Sequence, residues 1–326
     1  MRERKETEGL RLILDTDIDT DCDDAGALAV LHALQSRGQA AILGVVCSIP
    51  HACCAATVGA INAAYGRPEI PIGLVRIPEW ETSPRYEPYR RHRACEYCRP
   101  RLYNEIIAAQ LAGPLRSRVF PDAVSLYREL LAGASDGSVT ICAIGTMSAL
   151  AQLLDSTADS HSPFTGVELV RRKVRLLVSM AIADYPSGAD SFNWKMDTVA
   201  AGRVLADWPK ELIVSSPGDE ILTGARFMAE TPAGHPVHLA YRTHLHDSAA
   251  NRPSWDQVAV LYAVRGDSDQ LTATRNLGLT FDPASGAHCW NAAARGASRG
   301  YVRATATPDD LARRIEDLMI EAQQRI

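Results

Sequence analysis

Six aspartates fall within ten residues in the segment Leu12-Ile-Leu-Asp-Thr-Asp-Ile-Asp-Thr-Asp-Cys-Asp-Asp-Ala-Gly-Ala-Leu28. They follow an apolar run of strand length and precede a stretch with helical spacing of Ala27, Leu28, Val30, Leu31 and Leu34. At the carboxyl end of a strand in an open parallel sheet, such a loop borders the ligand crevice. Carboxylates this dense repel one another unless a cation neutralises them or some face water. Hard oxygen donors on a loop suit Ca²⁺ or Mg²⁺.

Three other readings can be weighed on spacing. An EF-hand loop needs Gly at its sixth position and Glu at its twelfth. Starting from Asp15 these are Thr20 and Gly26, and from Asp17 they are Cys22 and Leu28, so that reading fails. A haloacid-dehalogenase-type phosphatase places Thr or Val four residues after its first Asp, where Asp19 stands here. Helix capping by Asp23 and Asp24 accounts for one or two carboxylates, not for six.

The loop resembles the signature of the inosine–uridine nucleoside hydrolase family, Asp-x-Asp-Pro-Gly-x-Asp-Asp-Ala, in its form with two extra residues. Asp15 and Asp17 match the first pair, and Asp23, Asp24 and Ala25 match the closing trio; Asp19 stands where Gly is usual. A second register beginning at Asp17 keeps the shorter spacing but shifts the strand end by two residues, so the first is preferred. Further segments resemble the family in order: Ala60–Gly73, Ala123–Ala132 with Asp136–Gly145, Tyr185–Asn193 and Ser254–Leu261.

The resemblance implies an α/β fold, a mostly parallel open sheet flanked by helices, in one domain over residues 1–326. It implies Ca²⁺ held by Asp17, Asp24, Asp256 and the carbonyl of Ile144, with Asp17 as general base towards a water. Asp23 and Asn193 would hold ribose hydroxyls. The activity implied is hydrolysis of the N-glycosidic bond of a nucleoside-like small molecule, by a homodimer or homotetramer.

Departures from the pattern bear on the substrate. Trp255 replaces the His that many members place before the late Asp; indole donates a hydrogen bond but is no general acid. It offers instead a stacking face for a leaving base. His244, His246 and Asp247 lie a few residues upstream, where either histidine could supply the acid or simply sit on the surface. Ser191 stands where a sugar-binding Glu is expected, with Asp190 as the substitute. His51 follows Pro50 at the end of the second strand, where Asn is frequent, and Ala149 replaces an Asn.

The elements that must position these residues are legible as strand-length apolar runs: Leu10–Leu14, Ala41–Cys47, Ile70–Val75, Val139–Ile144, Val174–Met180 and Leu212–Ser215. Helical patterns lie between them, at Asp23–Leu34 with Gly38 as the terminating residue, Asp122–Leu131 and Ser148–Leu154, then Ser254–Val264 and Pro308–Ile326. Alternation of this kind predicts a parallel α/β sheet. The polar stretch Pro78–Pro100 has no core period and reads as a long loop, extending with its basic residues to Arg101 as a possible lid. Its Arg85, Arg90, Arg91, His92, Arg93, Arg99 and Arg101 would either contact an anionic group or pair with surface carboxylates. Within it, His92 and the Cys95/Cys98 pair lack a fourth ligand for zinc.

Composition bounds the rest. With 46% hydrophobic and 22% charged residues over 326 positions the chain is globular rather than disordered. A net charge of −5 argues against nucleic acid as partner. No apolar run approaches the ~20 residues that span a bilayer, and Met1–Gly9 lacks a signal-peptide core, so a cytoplasmic location is expected. Eight irregularly spaced cysteines do not form a disulfide framework pattern.

Overall fold

The structure is a computed structural model that describes residues 9–95, 102–292 and 298–324. Its strands are β1 (Leu10–Thr16), β2 (Ala40–Cys47), β3 (Ile72–Leu74), β4 (Val139–Ala143), β5 (Val174–Met180), β6 (Ser187–Ala189), β7 (Glu211–Ser215), β8 (Leu222–Thr223), β9 (Arg252–Pro253), β10 (Leu271–Phe281), β11 (Ala287–Ala292) and β12 (Arg299–Ala304). Ten of them form one sheet in the order β3-β2-β1-β4-β5-β7-β12-β10-β11-β6, while β8 and β9 pair separately.

From β3 through β12 every neighbouring pair is parallel. These strands are covered by helices, so Leu12, Ile13, Leu14, Val45, Val46, Ile141, Leu177, Val178, Ile213 and Val214 are fully buried. That two-sided burial is why they read as continuous apolar runs. Beyond β12 the sheet turns antiparallel through β10, β11 and β6.

The expected strands are present within one or two residues of their bounds, with β3 trimmed at both ends of Ile70–Val75. The first helix runs Asp23–Ser36. Gly38 follows it at φ 70, and its N–H closes on the Gln35 carbonyl, as a left-handed terminating glycine does. The segment 78–95 is not the loop expected. It folds into a 3₁₀ turn, Pro84–Tyr86, and a helix, Glu87–Ala94. Its order comes from Trp80, Tyr86 and Tyr89, which are buried on one another, and from ion pairs described below, neither of which has an apolar period. Cys98, Arg99 and Arg101 lie outside the described residues. Among the described residues, no helix is long and apolar enough to cross a membrane.

Candidate active site

β1 delivers the aspartates. The strand ends inside the protein, and the two helices that start beside it, Asp23–Ser36 and Trp255–Arg265, pack on each other. Both helix N-termini therefore face the same carboxylates and favour negative charge there. The aspartates divide by partner. Asp15 accepts from the Tyr127 hydroxyl at 2.6 Å, and burial pushes its carboxyl up to about 7. Thr16 donates to Asp24 and accepts from the N–H of Ile18 at 3.1 Å. Asp19, fully buried, accepts from Asn104 at 2.6 Å and from the Arg93 guanidinium at 3.1 and 2.9 Å.

The carboxylates of Asp23, Asp24 and Asp256 bring oxygens within 4.8 Å of one another. The N–H of Asp256 also donates to Asp23 at 3.4 Å. Burial, and then the charges of neighbouring aspartates, raise all three carboxyls well above the usual carboxylate range. Asp17 lines the same cavity. Burial, with Asp19 next in effect, pushes Asp17 up to about 8, and its Oδ2 is buried without a hydrogen-bond partner among the described residues. An all-oxygen set that is buried, mutually repulsive and includes an orphaned carboxylate oxygen fits a hard divalent cation, whose charge would relieve both penalties.

The opposite wall comes from β4 and the segment after β5. Gly145 follows Ile144 where a Cβ would meet the Asp17 backbone nitrogen at 2.5 Å; only glycine permits this approach. The Ile144 carbonyl accepts from the side-chain amide of Asn193 at 3.0 Å. Asp190 also borders the cavity, but its two oxygens accept from the N–H groups of Ile182, Phe192 and Trp194 at 2.7, 3.1 and 2.7 Å. It shapes the loop that presents Asn193.

The cavity between these walls has a volume of about 560 Å³. Its remaining border includes Thr20, Asp21, His92, Phe192, Lys195, Arg252 and Trp255. His92 comes from the helix Glu87–Ala94; it hydrogen-bonds Thr20 across 3.2 Å and meets the Phe192 ring edge-on at 4.7 Å. That helix is clamped by Arg93 on Asp19 and, just upstream, by Arg85 on Asp197 at 2.7 and 2.9 Å. Asp197 is buried and also accepts from Ser148 at 2.7 Å. Arg85, Arg91 and Arg93 thus pair with carboxylates, as one of the two expectations had it, but Asp19 and Asp197 are interior rather than surface groups, and Arg90 donates to the Trp80 and Ser83 carbonyls instead.

Trp255 lies against Gly218, where a Cβ would meet its ring at 2.3 Å. The Arg252 guanidinium carbon is 5.2 Å from the Trp255 ring centroid. Of the upstream histidines, His246 is exposed, but His244 is buried rather than on the surface. Its Nδ1 lies 3.0 Å from the Thr20 carbonyl and its Nε2 3.5 Å from Asp21, and burial lowers its pKa. It does not border the cavity, nor does His51, whose ring stands edge-on to Trp80 at 5.5 Å. Arg252, Asp21, Thr20 and Phe192 were not singled out from sequence. The one signal for Arg252 was its position three residues before Trp255.

No family model matches the chain, and no curated protein matches it. Solved structures do. The type III effector protein XopQ, complexed with adenosine diphosphate ribose, is 15% identical with a TM-score of 0.70, over 97% of this chain and 95% of that one. An inosine-guanosine nucleoside hydrolase is 14% identical with a TM-score of 0.68, over 96% and 98%. The inosine-uridine preferring nucleoside hydrolase from Bacillus anthracis is 13% identical with a TM-score of 0.63, over 97% and 99%. A match this complete in length, with the aspartate cavity at the carboxyl ends of the parallel strands, gives the chain the nucleoside hydrolase fold.

Proposed function

We propose that this protein hydrolyses the N-glycosidic bond of a ribonucleoside or related N-ribosyl compound, releasing ribose and a free base. The observation that carries this reading is the buried cluster of Asp23, Asp24 and Asp256 beside the orphaned oxygen of Asp17. Asp17, Asp24, Asp256 and the Ile144 carbonyl would hold Ca²⁺, which when bound acidifies water and orients ribose hydroxyls. Asp17 takes the proton of the attacking water. Asp23 and Asn193 hold ribose hydroxyls, and the anionic floor stabilises the oxocarbenium-like sugar as its bond to the base lengthens. Trp255 provides a stacking surface for the base. His92, from the clamped helix, and Phe192, from the segment before Asn193, meet over the cavity and limit the access of bulk water. The protein assembles as a homodimer or homotetramer, which light scattering tests.

A second reading, a pocket for an anionic ribosylated ligand, is favoured by Lys195 and Arg252 at the cavity wall and by the ligand of the XopQ complex. A panel of nucleosides, nucleotides, ADP-ribose and nitrophenyl riboside, assayed for reducing sugar with Ca²⁺ and with chelator, separates the two. Chelator-sensitive release from neutral nucleosides supports the first reading. Binding of anionic compounds without turnover on any of the panel would replace it with the second.

A further inference from the structure

We propose that Arg252 binds the leaving group and selects ribosyl substrates whose leaving group departs as an anion. The inference rests on the hydrolase reading above and assigns its missing electrophile. Three observations carry it. Arg252 and Trp255 border the same cavity, with the guanidinium over the indole, so a group stacked near that indole lies within reach of the cation. The guanidinium is held in place: Nε donates to both Asp21 oxygens at 3.0 and 3.1 Å, and Nη2 donates to Asp21 as well. Asp21 is itself fixed beside His244, which is anchored on the Thr20 carbonyl. Finally, Nη1 has no hydrogen-bond partner among the described residues, leaving donors of the fork uncommitted.

A guanidinium does not give up its proton. Arg252 therefore cannot do what a histidine before Asp256 would do. It acts by placing fixed positive charge where negative charge develops. In the step, the bond from the anomeric carbon to the leaving atom breaks and its electron pair departs with that atom, hydrogen-bonded by Arg252. The water oxygen bonds to the anomeric carbon, and its proton passes to Asp17. The leaving anion then takes a proton from solvent as Asp17 releases one. Asp21 and His244 are positioning residues.

The test is a series of phenyl ribosides, from nitro- to methyl-substituted, hydrolysed by wild type, Arg252→Gln and Arg252→Lys. Removing such a donor costs about 10²–10³-fold in kcat. The expected result is a loss of that size in Arg252→Gln on the poorest leaving groups, little loss on nitrophenyl riboside, a steeper dependence of rate on phenol acidity, and partial rescue by Arg252→Lys. Equal losses across the series, or a change in KM alone, overturn the inference while leaving the hydrolase reading intact. If wild type cleaves no phenyl riboside, the nucleoside panel above decides the hydrolase reading, and Arg252 is judged by direct titration with 4-nitrophenolate. Binding about tenfold weaker in Arg252→Gln than in wild type supports it, and equal binding overturns it.

Discussion

The side-chain amide of Asn193 donates to the backbone carbonyl of Ile144 at 3.0 Å. One residue proposed to touch the sugar thus orients the oxygen proposed to ligate the cation. A carbonyl has two lone pairs, so the amide and a cation can share this one. Asn193→Ala is expected to weaken Ca²⁺ binding as well as raise KM. Calorimetric Ca²⁺ titration of the variant checks this; unchanged Ca²⁺ affinity would separate the two roles.

Asp17→Asn keeps the side-chain shape and removes the proton acceptor. A loss of about 10²–10⁴-fold in kcat is expected, the usual contribution of a general base, with the melting temperature in chelator unchanged or raised. The rise would follow from removing a buried carboxyl that its neighbours repel. Single-turnover kinetics on the best substrate decide the catalytic part.

Ca²⁺ should stabilise the fold by mass action, by about 2.7 kcal/mol at a hundredfold excess over Kd. Asp24→Asn and Asp256→Asn should each abolish most of that gain. Urea unfolding with Ca²⁺ and with chelator measures it.

Arg93 is the counter-charge of the buried Asp19. Arg93→Met should destabilise by about 3–5 kcal/mol, because it leaves an uncompensated interior charge. The double variant Arg93→Met, Asp19→Asn should recover much of that loss. Equal stabilities of the single and double variants would show that the pair does not hold the helix Glu87–Ala94 down.

His32 is enclosed by Asn62, whose side-chain Oδ1 lies 2.9 Å from Nε2, and Arg67, whose guanidinium lies 3.0 Å from Nδ1. The neutral ring with its proton on Nε2 satisfies both. Burial pushes His32 down to about 3 and His235, on the far side of Tyr65, down to about 4. Both values lie below the unfolded 6.5. The unfolded chain therefore binds more protons below pH 6.5, and stability falls as pH drops from there, at about 1.4 kcal/mol per pH unit for each group, down to about 4 for His235 and about 3 for His32. His32→Gln should show a shallower loss than wild type between pH 6.5 and about 4 in urea unfolding. Parallel curves would remove His32 from the acid sensitivity.

The parallel strands were legible because strands covered on both faces carry unbroken apolar runs. β10 was not: it is largely half-buried, with Thr272, Thr274 and Arg275 in its middle, and its place is set by pairing with β12 and β11 rather than by its own pattern. The aspartate loop announced a cavity, but not which carboxylate does what. Asp15 turns to Tyr127 and Asp19 to Arg93, partners 112 and 74 residues away. The helix Glu87–Ala94 stayed hidden for the same reason, since its order rests on charges and aromatic rings contributed from elsewhere. Trp255 and Asp256 could be placed from their local motif, whereas the hold of Asp21 on Arg252 spans 231 residues.

The bond between Asp256 and Asp23 joins residues 233 positions apart. At ~5–20 residues per second, a ribosome needs some tens of seconds to make that interval. Throughout it the aspartate loop exists without the helix that completes its cluster. Its carboxylates remain ionised in water for that time, because nothing has yet desolvated them. Burying the repulsive cluster thus waits at least until the helix Trp255–Arg265 has been made and can dock. A cation already gathered by the exposed loop would favour that docking over the misassembled alternatives open to a waiting, half-made sheet.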